Sequence, residues 1–158
     1  MKSSYRAGFN FGLSSGIITT IGLMIGLYSS TNSQLVVIGG ILTIAIADAL
    51  SDALGIHMAS ESLHKYSLKQ IWEATYSTFI YKFLFSIIFI IPILLLDLIR
   101  AVIISVMIGI YLIFANSLIM ARKQNRITWK VISIHLLLTF GVIVITYYIG
   151  VSISIFFS

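Results

Sequence analysis

Apolar residues run through this chain in long blocks, and polar residues collect in the short gaps between them. Five segments, at about residues 8–28, 35–58, 78–96, 101–120 and 131–156, are predominantly apolar. Each approaches the roughly 20 residues that a helix needs to cross the hydrocarbon core of a bilayer. Backbone polar groups inside a bilayer must satisfy one another within the segment, so such blocks fold as helices. The expected fold is all-α: a single transmembrane domain over residues 1–158, with five membrane-spanning helices.

The gaps predict the connections. Ser29-Ser-Thr-Asn-Ser-Gln34 is a neutral turn. Residues 59–75 form a longer polar connection holding Glu61, His64, Lys65, Lys69 and Glu73. Within it, Ser67-Leu-Lys-Gln70 has the form of a capping box, which starts the third helix near Leu68, and Trp72 suits a membrane–water interface. On this reading the chain enters hydrocarbon near Thr78, Lys82 snorkels back toward water from one turn inside, and Pro92 kinks the span late. Asp97-Leu-Ile-Arg100 makes a tight turn. Residues 121–130 carry four basic residues and no acid, which a cytoplasmic anchor explains better than nucleic-acid binding.

Periodicity sorts the faces of the spans. Gly8, Gly12 and Gly16 recur every four residues in the first, and Gly22 and Gly26 repeat the interval, the spacing that lets helix backbones approach closely. In the second span a 3.6-residue period places Ile44, Ser51, Asp52, Gly55, Ala59 and Ser62 on one stripe with Asp48. His57 falls nearly opposite Asp48 and reads as an interfacial or packing histidine, with a ligand as the alternative. Ser105, Gly109, Asn116 and Met120 share a face of the fourth span, and His135, Thr139, Thr146 and Gly150 one of the fifth.

Composition agrees with the pattern. Of 158 residues 59% are hydrophobic and 9% charged, with mean hydropathy +1.06, as in a multi-pass membrane protein surrounded by lipid, and no length is left for a soluble domain. The chain has no cysteine, which excludes disulfides and thiolate metal sites. Met1-Lys2-Ser-Ser-Tyr-Arg6 resembles a signal-peptide n-region, but the apolar block after it is too long for an h-region and lacks a small-x-small cleavage site, so it reads as a retained span. The net charge of +5 is unevenly placed. Lys2, Arg6, Lys65, Lys69, Arg122, Lys123, Arg126 and Lys130 fall on one side of the membrane and only Arg100 on the other. The positive-inside rule then puts the N-terminus in the cytoplasm and the C-terminus outside, with the cell membrane the expected location.

Asp48 and Asp52 are the candidate chemistry. A carboxylate at the centre of a membrane helix costs about 2.5–3.5 kcal/mol, so two of them call for a compensating partner. Their i, i+4 spacing puts both on one helix face, about 6 Å apart along the axis. Iron(II) and manganese(II) accept carboxylates together with hydroxyls, amides or a thioether, and Ser51, Asn116 and Met120 could add such ligands. A homodimer close-packed through its first spans would double the charge available. Two carboxylates in low dielectric also repel, so an arriving metal would displace protons. Glu61 is a candidate entrance ligand, against its reading as a solvated loop acid. Two other readings stand beside metal transport. The acids could be paired with Asn, His or Lys in a bundle that transports nothing. An Asp-x-x-x-Asp helix also occurs in lipid phosphotransferases, but residues 35–44 hold neither the acid nor the Arg that those enzymes need, so the chain is expected not to be an enzyme and to use no organic cofactor.

The first two spans carry a resemblance. Gly8-Phe-Asn-Phe-Gly-Leu-Ser-Ser15-Gly16-Ile-Ile-Thr19-Thr20-Ile-Gly22 resembles the opening helix of the vacuolar iron transporter family, which typically reads Asp-Gly-Leu/Ile-x-Thr-Thr-x-Gly. Ala47-Asp-Ala-Leu-Ser51-Asp52-Ala-Leu-Gly55-Ile56-His57 is similar to that family's Ala-x-Ser-Met-x-x-Gly-Glu-Tyr segment. The likeness covers about residues 8–62; the later spans agree in topology alone. It implies a homodimer, joined through the first and second spans, that moves Fe²⁺ or Mn²⁺ out of the cytosol in exchange for protons. By position, the family's membrane Asp falls on Ser15, its pathway Met on Asp52 and its Glu on Ile56. The family's Glu-rich cytoplasmic helices are reduced here to residues 59–75. Asp48 and Asp52 would then be the central ligands and proton acceptors, with Ser15, Ser51 and Asn116 as neutral helpers.

Overall fold

The computed structural model describes residues 3–123 and 127–157, so that Lys2 and Arg126 of the charge count lie outside the described residues. The helices run α1 (Ser3–Thr31), α2 (Gln34–Ser62), α3 (Leu68–Ile87), α4 (Ile90–Leu95), α5 (Leu98–Lys123) and α6 (Thr128–Phe157). Taking α3 and α4 together as Leu68–Leu95, five helical stretches are long and apolar enough to cross a membrane, and the described residues contain no strand. The all-α, five-span expectation holds, and the helices overrun the expected spans at most ends because their polar flanks stay helical.

The local signals explain the boundaries. Ser67 caps α3: its hydroxyl accepts from the Gln70 backbone N–H at 3.4 Å while the Gln70 side chain accepts from the Ser67 N–H at 2.9 Å, a capping box that satisfies two orphan donors at once. Asn32, in the left-handed region at φ 45°, ends α1 with its N–H on the Tyr28 carbonyl. Asp97 accepts from the Arg100 N–H and pairs with the same guanidinium at 3.2 Å, starting α5. Pro92 does more than kink its span. It has no N–H for the Ile88 carbonyl and its ring crowds that oxygen, and the helix breaks there: α3 stops at Ile87 and α4 begins at Ile90. One turn into α4 the Ile93 carbonyl is taken up by the Gln34 side chain at 2.5 Å.

The chain divides into two compact units. The first comprises α1 up to Thr20, Ile41–Phe89 of α2 and α3. Here the first-span glycines are spent on α3: a Cβ on Gly12 would meet the Thr78 carbonyl at 2.7 Å, and one on Gly16 the Lys82 carbonyl at 2.8 Å. Leu13, Ile17, Ala45, Ala49 and Ala53 are buried in the same unit. The second unit comprises Ile21–Gly40 and Ile90 onward. In it Gly22 abuts Val142, and Gly150 abuts Ser29 and the Gly26 carbonyl, so the later glycines seat α6. Of the expected face of α5, Ser105, Gly109 and Asn116 are buried and Met120 is half-buried, and α6 meets α5 where His135 bonds Ser117.

Candidate functional site

Three helices of the first unit bring one cation and two anions together. Lys82 is anchored on α3, where Gly12 and Gly16 of α1 lie against its backbone. Its residue is 0% exposed, and its side chain cannot snorkel. Instead its ammonium lies 2.5 Å from Asp48 Oδ2 and pairs also with Asp52 Oδ2, both from α2. The pair with Asp52 is a directed hydrogen bond. Asp48 Oδ2 is buried and forms no directed hydrogen bond among the described residues, so its contact with Lys82 is Coulombic. Ser15 of α1 completes the group: its hydroxyl donates to Asp52 Oδ2 at 2.6 Å and receives from Lys82 Nζ at 2.9 Å. The ammonium thus has three oxygens around it, two of them, from Asp52 and Ser15, in directed hydrogen bonds.

The expectation that Lys82 reaches water is therefore corrected. A buried ammonium is expensive unless paired, and two buried-side carboxylates on the neighbouring helix supply the pairing. With one positive and two negative charges the group carries a formal −1. The signal was present in the sequence: a lysine inside an apolar span, in a chain whose only other intramembrane charges are two acids.

The other expected residues are placed differently. Asp48 and Asp52 stand on an α2 row with Ile56 and Ser60, one position away from the fully buried row Ile41, Ala45, Ala49 and Ala53. Ser51, Gly55 and Ala59 lie on the exposed side of that row, so Ser51 is not in the ammonium group and the stripe drawn from periodicity is rotated by one residue. Glu61 is exposed at the end of α2. Asn116 belongs to the second unit, where its amide faces the Met120 sulfur at 3.7 Å. Among the described residues no three His, Asp or Glu side chains gather as a metal-binding group.

Both membrane histidines are packed and oriented by hydroxyls. Thr75 donates to the Ile71 carbonyl, so it accepts from His57 Nδ1 at 3.0 Å, and the ring sits edge-on to Trp72. This is the packing role. His135 makes the same arrangement with Ser117, at 2.7 Å.

Compared with protein-family models, curated proteins and solved structures, the chain shows no match.

Proposed function

We propose that this chain is a cation carrier of the membrane, moving a divalent metal, Fe²⁺ or Mn²⁺, out of the cytosol in exchange for protons. The observation that carries the reading is the Lys82 ammonium seated between Asp48 and Asp52. A place shaped to hold one positive charge at membrane depth is a place where positive charges can exchange. Two carboxylates can be neutralised in two ways: by the ammonium together with one proton, or by one divalent ion when two protons leave, one of them from Lys82. Alternation between these states couples metal to proton movement at the same oxygens. Carboxylate and hydroxyl oxygens suit Mn²⁺ and Fe²⁺ as ligands, and Ser15 is in place as the neutral one.

The dimer belongs to the same reading. The α1 glycines are occupied within the protomer, whereas α2 keeps small residues exposed at four-residue spacing: Ala47, Ser51, Gly55 and Ala59. A Cβ on Gly55 would meet nothing within 4 Å among the described residues. Such a face admits a second helix at close range, so the second span is the contact we propose, beside the Asp48–Asp52 row. The cytoplasmic N-terminus follows from the basic residues of the connections, and the likeness of the first two spans to the vacuolar iron transporter family supports the whole.

A second reading has its own observation. Because the ammonium is bonded to Ser15 of α1 and paired with Asp48 and Asp52 of α2, the group could be a lock that fixes α1, α2 and α3 in a bundle that carries nothing. Metal uptake into proteoliposomes under a pH gradient separates the two. The carrier reading expects flux in the wild type and its loss in Asp52→Asn. Equal flux in both removes Asp52 from the mechanism, and no flux in the wild type leaves the lock.

A further inference from the structure

At the end of the first unit that carries the α2–α3 connection there is a cavity of about 230 Å³, lined from all three helices. Ser3, Ser4, Ser60, Tyr66 and Gln70 give its wall polar groups among apolar residues, Ala7, Ala59 and Leu63, and Ile56 and Ala74 line it nearest in sequence to Asp52 and Lys82. Two rows lead from it to the charged group. On α2 the row runs Ser60, Ile56, Asp52, Asp48, each step one turn of about 6 Å. On α3 it runs Gln70, Ala74, Thr78, Lys82. Ile56 is the single apolar member of the first row and Ala74 that of the second.

Thr78 supplies an independent sign of what lies between. Its hydroxyl is fully buried and has no hydrogen-bond partner among the described residues. The carbonyl that a helical threonine normally uses, four residues back at Ala74, is taken by Ser77 at 3.0 Å. A buried hydroxyl left in this way costs about 1–3 kcal/mol unless something polar reaches it. It stands one turn beyond the cavity's inner wall and one turn short of Lys82.

We propose that this cavity is an aqueous vestibule within the protomer, through which water and a hydrated cation reach Asp52, with Ile56 as its plug. The polar groups of the wall are hydroxyls and an amide set among apolar side chains, with the Glu73 carboxylate accepting from Ser4 at 2.6 Å, and they leave capture of a cation to Asp52 and Asp48. Thr78 is the first inner group that water meets. The cation's identity rests on the carrier reading above; the access of water to Asp52 does not.

The chain has no cysteine, so single cysteines report access without further changes. In protein reconstituted in liposomes, Ser60→Cys should react with a charged, membrane-impermeant thiol reagent from the side bearing the α2–α3 connection, while Leu50→Cys, on the exposed apolar side of α2, should not. Asp52→Cys should react slowly, and adding Ile56→Ala should speed it by about tenfold. Thr78→Cys, close to isosteric, gives the same reading should the loss of Asp52 unfold the protein. An unchanged rate at both inner cysteines on adding Ile56→Ala overturns the plug. Protection of Ser60→Cys from the charged reagent, with reaction only toward a lipid-soluble maleimide, makes the cavity a lipid crevice and overturns the vestibule. Labelling as expected without metal flux refutes the carrier and leaves the vestibule standing; flux without labelling does the reverse.

Discussion

Replacing Lys82 by methionine keeps the side chain's reach and removes its charge, leaving Asp48 and Asp52 facing each other without a counter-ion. Breaking a buried pair on one side costs about 3–5 kcal/mol, because an uncompensated charge remains. Both carboxylates keep part of their side chains exposed, 28% for Asp48 and 24% for Asp52, so the lower end, about 3 kcal/mol, applies here. For a chain of this size that is a fall in Tm of about 6–12 °C, measured by circular dichroism in mild detergent. Removing all three charges together, in Lys82→Met/Asp48→Asn/Asp52→Asn, removes the desolvation cost along with the attraction and should recover most of the loss, to within about 1 kcal/mol of wild type. The contrast is what tests the geometry. A Lys82→Met protein as stable as wild type would mean that the ammonium does not hold these carboxylates. A triple variant weaker than the single would mean that the acids are stabilised by something other than Lys82.

The glycines divide by their surroundings, and so should their variants. Gly16→Ala drives a methyl toward the Lys82 carbonyl and should cost about 1–3 kcal/mol in detergent unfolding, whereas Gly55→Ala should leave monomer stability unchanged. Gly55→Leu should instead weaken the proposed self-association, read by crosslinking or by light scattering of the detergent complex; association unaffected by it would move the proposed contact off α2. His57→Phe keeps the ring against Trp72 and loses the Thr75 bond, so stability should fall by about 1 kcal/mol with metal flux retained. Abolished flux with normal folding would make His57 a ligand.

The five spans were legible along the chain because a bilayer judges each helix separately: length, apolarity and self-satisfied backbone bonds are local properties. The capping box at Ser67 and the disruption at Pro92 were legible for the same reason, since a cap or a missing N–H acts within one turn. The two intramembrane acids could be named as the unusual residues, and their shared face read from the period of the helix.

Which groups meet across helices is a different matter. Periodicity gives the angle of a side chain about its own helix and says nothing of which neighbour stands there or at what depth. Lipid tails are as apolar as leucine, so burial alone does not choose partners among apolar spans; close backbone approach and polar pairing do. Gly12 and Gly16 could have faced another protomer, and only the packing shows them against α3, bringing Lys82 to the level of Asp48 and Asp52. That approach turned a lysine expected at the water's edge into the counter-ion of both acids. It also moved Ser51 to the outside of the row and left Asn116 in the other unit, while Ser15 became the hydroxyl that joins Asp52 to Lys82. The acids were a property of the chain; their cation was a property of the fold.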